Sequence, residues 1–213
     1  MSPRLAEIGR VKKMSSQRLD NYGKINREKI FSFIWQHKNY FGYEGDSLAS
    51  ALLANNIKIV GRSFKYHRPR GIMSCGVEES GGLVTIGTGD RRDPNVRVTT
   101  QELYQDLNST GQNAFPNVNF DFSGINNYMS RFLAAGFYYK TFMGIPPFEW
   151  GKGTKIWMLY EKLIRRAAGM GVASRLPDPD HYEHANDFCD VLVVGSGPAG
   201  IAAAQEAVDK KLD

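Results

Sequence analysis

Lys29-Ile30-Phe31-Ser32-Phe33-Ile34-Trp35, the polar turn from Gln36 to Asn39, and Tyr40-Phe41-Gly42-Tyr43 decide the fold. Phe31, Phe33 and Trp35 alternate with smaller or less aromatic residues, the pattern of a strand with one buried face. The second short run after a polar turn makes the pair a hairpin. Asp46 then stands at an N-cap position for a helix over Ser47 to Ala54, with Leu48, Ala51 and Leu52 on one side. Asn55-Asn56 ends that helix, and Ile57-Lys58-Ile59-Val60 reads as another strand. A hairpin followed by a helix and further short strands predicts an α+β unit of the β-grasp kind.

Working outward, residues 1 to 28 are polar and basic and are expected to be extended. Beyond the first unit, Gln101 to Leu107 reads as a short amphipathic helix capped by Thr100, and Trp157 to Ala168 as a second helix with an arginine-bearing end. The Phe/Tyr-rich stretch from Phe115 to Phe148 is less periodic, and its aromatics read as packing residues. A Pro/Asp-rich linker follows, which puts a domain boundary near residues 176 to 188. The expected organisation is an extended segment (1–28), a first domain (29–100), a connector with helices and linker (101–188) and the opening of another domain (189–213).

That last segment carries the clearest functional motif. The apolar run Val191-Leu192-Val193-Val194 feeds Gly195-Ser196-Gly197-Pro198-Ala199-Gly200 and then Ile201 to Ala207. This is the strand, G-x-G-x-x-G turn and helix that open a dinucleotide-binding Rossmann-type fold. Gly195 would make the tight turn, Gly197 would admit backbone amides to a pyrophosphate, and Gly200 would let the helix lie close to the strand. Pro198 suits the first helical turn, and the helix N-terminus offers unpaired N–H groups to phosphate. Gly195, Ser196, Gly197, Pro198, Ala199 and Gly200 are therefore the candidate cofactor-binding residues. The acidic residue that grips a ribose normally lies about 20 residues further on; Asp209 and Asp213 come too soon for that role. The chain thus reads as the front part of a longer polypeptide with an incomplete dinucleotide site.

Composition excludes several classes. At 213 residues with 42% hydrophobic content there is enough apolar material for a core, and the formal charge of +5 is modest. Aromatic and basic residues interleave only at Phe64-Lys65-Tyr66-His67-Arg68, too short a stretch for a nucleic-acid surface. Cys75 and Cys189 are the only cysteines, so neither a disulfide framework nor a cysteine-only metal site is expected. The N-terminus lacks an apolar signal region and no stretch is long enough to span a membrane, which makes a cytoplasmic protein the expectation. His181 and His184 have a metal-compatible spacing, but Pro177 and Pro179 mark their surroundings as a linker. Cys189 reads as a small buried residue at the start of a strand.

Longer matches point to a family. Tyr43 to Asn55, Gly61 to Gly71, Phe137 to Met143, Leu163 to Gly169 and Asp190 to Gly195, in that order, resemble the N-terminal region of the alpha subunit of heterotetrameric sarcosine oxidase. The resemblance runs from about Arg18 onward. It implies NAD on the dinucleotide fold, with FAD as the other candidate, and beta, gamma and delta subunits as partners, the beta subunit carrying flavin. The implied activity is oxidative demethylation of sarcosine to glycine with oxygen, the one-carbon unit passing to tetrahydrofolate. No residue of the chain is assigned a catalytic role, and the chain alone is expected neither to bind NAD tightly nor to oxidise sarcosine. The alternatives are a non-catalytic interaction module, or a subunit of a related amine or opine dehydrogenase or hydrogen cyanide synthase.

The resemblance also implies that the first domain is similar to plant-type [2Fe–2S] ferredoxins, whose cysteines are spaced C-x4-C-x2-C with a fourth further on. Laid onto this chain that spacing falls on Ser74, Glu79 and Gly82, and Cys75 is one place off. The expectation is a ferredoxin-like fold with no iron–sulfur cluster and no other metal. Lys65, His67, Arg68 and Arg70 could meet a cofactor phosphate. With no carboxylate or glycine-rich cradle nearby in sequence, they read instead as a surface packing this domain against the dinucleotide-binding domain or a partner subunit. His67 has nothing but its ring to recommend it as a general base.

Overall fold

The computed structural model describes residues 17–19, 23–128, 130, 161–162 and 171–212. The chain divides into two units, Met1–Asp178 and Pro179–Asp213.

The first unit is built on β1 (Asn26–Trp35) and β2 (Lys38–Glu44), an antiparallel hairpin in which Trp35 pairs with Lys38 and Phe33 with Tyr40. The turn is two residues long, Gln36 and His37, and both have positive φ (49° and 65°). That is the backbone a type I′ turn requires, because its twist matches that of the flanking strands. Phe33 and Trp35 are buried and Phe31 packs against the same core, as the alternation predicts.

Helix α1 (Leu48–Ala54) follows and buries Leu48, Ala49, Ala51, Leu52 and Ala54. Its cap is Ser47 rather than Asp46: Ser47 Oγ accepts from Ser50 N–H. Asp46 is instead a buried anchor, taking both terminal nitrogens of Arg18 together with Tyr43 N–H and Ser50 Oγ–H. At the other end, Asn56 N–H donates to Leu53 O, Ile57 N–H to Leu52 O, and Asn56 has φ +60°. These are the two bonds and the left-handed residue of a Schellman stop, which is why Asn55-Asn56 terminates the helix.

Two expected elements take other forms. Ile57 to Val60 is extended but is not a ladder strand. Val60 N–H bonds Arg70 O, and the chain then enters the two-stranded pair β3 (Gly61–Arg62) and β4 (Pro69–Arg70). Gln101 to Leu107 forms no helix. Leu48 N–H donates to Gln101 O and Leu103 N–H to Asp46 O, and a bridge joins Ser47 to Glu102. Leu103 and Leu107 are both buried four residues apart. That spacing imitates a helix, but here a turn at Gln105-Asp106 carries Leu107 into a strand.

That strand, β7 (Leu107–Gly111), completes a five-stranded sheet with β5 (Leu83–Ile86) and β6 (Asp93–Arg97), in the order β2-β1-β7-β5-β6. β7 runs parallel to β1 and every other pair is antiparallel. A hairpin, a helix across the sheet and a last strand returning parallel beside the first is β-grasp topology within an α+β fold. Phe33, Trp35, Leu48, Leu52, Val60, Val84, Val98, Leu103, Leu107 and Val118 form its core.

The expected helix at Trp157 to Ala168 lies outside the described residues except for Glu161 and Lys162, which are helical. Most of residues 1–28 and the aromatic stretch beyond Tyr128 likewise lie outside them, apart from Ser130. No helix among the described residues is long and apolar enough to cross a membrane.

In the second unit, helix α2 (Pro198–Asp209) forms as predicted with Pro198 in its first turn. Val191 to Val194 does not form a strand; Leu192 and Val194 are exposed, and so is Cys189, contrary to the expected buried position. The reason is physical. A strand of a parallel sheet is held by its neighbours, and the described part of this unit contains no second strand.

Candidate functional site

The glycine turn leads directly into α2. Gly195 has φ +111°, Gly197 is the N-cap of α2, and Ile201 N–H closes the first turn on Gly197 O. A Cβ on Gly200 would lie 2.1 Å from Gly195 O and 3.4 Å from Val193 Cγ1. Only a glycine lets the helix approach the incoming chain this closely. The first turn of α2 contains no acidic residue, so nothing there opposes the positive end of the helix dipole. Ser196, Pro198 and Ala199 complete the loop at the surface. His181 and His184 are exposed in a segment without regular secondary structure. Among the described residues, no three His, Cys, Asp or Glu side chains come together in a way that could hold a metal.

The loop from Met73 to Gly82 in the first unit is organised around one side chain. Glu79 is 2% exposed. Its Oε2 accepts from Met73 N–H at 2.7 Å and Ser74 N–H at 2.8 Å, and its Oε1 from Gly81 N–H at 2.5 Å and Gly82 N–H at 3.1 Å. Burial works against the charged form, but the amides of Ser74, Met73, Gly81 and Gly82 outweigh it and hold the carboxyl below the usual glutamate value. The loop is fastened to the sheet side by Val98 N–H to Gly82 O and Thr99 Oγ1–H to Gly76 O.

The basic run packs inward on its own unit. Arg62 donates to three carbonyls: Val118 O at 2.7 Å, His67 O at 3.1 Å and Asn119 O at 3.1 Å. His67 is buried with Nδ1 2.6 Å from Asp121 Oδ2, and Arg68 Nε–H reaches Asn127 Oδ1. The Tyr66 ring has Lys65 and Arg68 within cation–π range. Packing is thus the role of Arg62, His67 and Arg68, but the surface they hold is the 115–127 segment of the same domain. Arg70 is exposed beside this anchor. Along the same segment Phe115, Phe120, Phe122, Ile125 and Tyr128 are exposed, so the aromatics described there are not core residues.

Comparison with known proteins supplies the family. The protein named sarcosine oxidase subunit alpha from Rhizobium meliloti is 52% identical over 194 residues, which is 91% of this chain and 19% of that protein. This chain is a relative of sarcosine oxidase alpha subunits. Two Corynebacterium proteins of the same name, from strains U-96 and P-1, are 29% and 30% identical over 187 residues, 86% of this chain and 14% of each of theirs. The chain therefore spans about a fifth or less of the length of the curated relatives it matches. Residues 29–114 match the family of 2Fe-2S iron-sulfur cluster binding domains. A crystal structure of L-proline dehydrogenase from P. horikoshii aligns with a TM-score of 0.33 at 23% identity, over 45% of this chain and 18% of that one, too weak a likeness to carry any argument.

The cluster implied by the family model meets a poor fit in this sarcosine oxidase relative. Ser74, Glu79 and Gly82 occupy the three positions of the C-x4-C-x2-C spacing, and the Glu79 carboxylate takes up the loop amides. A side chain at Gly82 would put its Cβ 2.6 Å from Cγ2 of the buried Val98. The thiol of Cys75 is exposed. The part played by Glu79 was not read from the sequence. The available signal was a carboxylate at a cluster-ligand position followed, after Ser80, by Gly81-Gly82.

Proposed function

We propose that this chain forms the N-terminal part of a sarcosine oxidase alpha subunit working in the cytoplasm. In that assembly the turn Gly195 to Gly200 receives the pyrophosphate of NAD at the N-terminus of α2, and the β-grasp domain serves as a scaffold with no iron–sulfur cluster. The carrying observation is the 52% identity to the Rhizobium meliloti alpha subunit over nearly the whole chain. The glycine-turn geometry and the Glu79-filled loop support the two cofactor statements. The reaction is the oxidative demethylation of sarcosine to glycine at the expense of oxygen, in an enzyme with beta, gamma and delta subunits. The chain's own residues bind and orient; none is placed at the amine being oxidised. NAD, when bound in such a fold, supplies a nicotinamide that accepts or donates hydride.

The test is a chimera in which the matched segment of the Rhizobium meliloti alpha subunit is replaced by this chain and co-expressed with that enzyme's other subunits. Sarcosine-dependent oxygen uptake by the purified assembly is the expected result. A chimera that assembles but takes up no oxygen with sarcosine contradicts the proposal.

A further inference from the structure

The loop from Met73 to Gly82 resembles an anion receptor whose ligand is covalently attached. Four backbone N–H groups from two separate stretches, 73–74 and 81–82, converge on one carboxylate, two to each oxygen. Successive amides turned inward in this way form an anion-binding concavity. Ser74 Oγ also lies 3.4 Å from Oε2. The concavity is shaped for its occupant: a Cβ on Gly81 would lie 2.8 Å from Gly71 O and 3.2 Å from Glu79 Oε1. The same loop matches a domain family that binds an anionic iron–sulfur cluster, at positions where this chain has no cysteine.

We propose that residues 73–82 form a carboxylate-binding cradle which Glu79 fills in cis, in the place where the family's fold would hold a metal cluster. Cutting the side chain back would then create a site for a small free carboxylate such as formate or acetate. Four amides left buried without acceptors cost stability, and a ligand that binds only the folded chain restores it in proportion to its concentration.

The experiment compares the full chain with Glu79→Ala and Glu79→Gln, each with and without sodium formate or acetate, using sodium chloride at equal ionic strength as the control. Glu79→Ala should melt about 5–10 °C below the parent, and formate should raise its melting temperature while leaving the parent's unchanged. Glu79→Gln has the same shape but presents an NH2 group to two N–H donors. One pair of the four amides, Met73 with Ser74 or Gly81 with Gly82, should therefore exchange with solvent at least tenfold faster than in the parent. The proposal is overturned if both variants keep the parent's melting temperature and amide protection, or if formate and chloride act alike on Glu79→Ala. If Glu79→Ala does not fold, the Glu79→Gln exchange rates decide.

The cradle rests on the cluster-free reading, and the two fail separately. Stoichiometric iron and sulfide in the anaerobically purified parent chain would remove both. Variants that are iron-free and as stable as the parent would remove the cradle alone.

Discussion

A Cβ placed on Gly200 would come within 2.1 Å of the carbonyl oxygen of Gly195, across a turn whose first glycine has φ +111°. Backbone meets backbone here, so no flexible side chain can yield. Gly200→Ala, and more so Gly200→Val, must displace the start of α2 from Gly195. Overpacking of this kind costs about 1–3 kcal/mol. If that cost falls on the binding geometry, dinucleotide affinity of the chimeric alpha subunit drops about 10- to 100-fold. Titration of NAD into the two assemblies measures it.

Arg18 and Asp46 form a two-pronged ion pair, Nη1 to Oδ1 at 2.9 Å and Nη2 to Oδ2 at 2.8 Å, with the Asp46 side chain fully buried. Removing the arginine leaves the carboxylate with only Tyr43 N–H and Ser50 Oγ–H among these partners. Arg18→Ala is expected to cost about 3 kcal/mol. In a urea-denaturation cycle, adding Asp46→Asn should cost less in the Arg18→Ala background than in the parent, because the buried charge has gone.

Arg62 is expected to matter through its shape as much as its charge. Its guanidinium spans Val118 O, His67 O and Asn119 O, and a lysine is a point donor that cannot fan across three carbonyls. Arg62→Ala should destabilise by about 2–3 kcal/mol, and Arg62→Lys should recover only a minor part. Hydrogen exchange should localise the loss to residues 115–127.

Acid should loosen the loop around Glu79. Its folded-state value lies below the usual 4.5. The stabilisation is therefore fully present above the ordinary glutamate range and is lost as the pH falls through the lowered value. Melting temperatures measured from pH 7 downward should hold for this contribution to about pH 5 and fall below it. The Glu79→Gln chain should start lower and show a shallower acid slope, since it no longer has that proton to take up.

The parts of this fold that were legible in the sequence are the local ones. Phe31, Phe33 and Trp35 announce a half-buried strand, Ser47 to Asn56 carries both helix boundaries within one window, and Pro198 with its glycines fixes α2. What escaped depends on distant partners. Leu107-Asn108-Ser109-Thr110-Gly111 looks too polar for a central strand, yet it pairs with β1 on one side and β5 on the other, and Ser109 Oγ–H is satisfied by Ile34 O. Glu79 stood out in the sequence only as one position of the cluster spacing, because the four amides that hold it come from both sides of it in the chain. Val191 to Val194 fails in the opposite sense: its pattern promises a strand, but a strand is only as real as its neighbours.

Gly195 to Gly200 is proposed to hold NAD within a sarcosine oxidase alpha subunit. The most direct measurement is the dinucleotide released by acid from the purified chimera, identified by mass spectrometry, beside the same assembly carrying Gly200→Val. NAD in amounts stoichiometric with the chimeric subunit, and strongly reduced by Gly200→Val, is the predicted result. An intact assembly that releases no NAD, or that keeps it undiminished with valine at position 200, would contradict it.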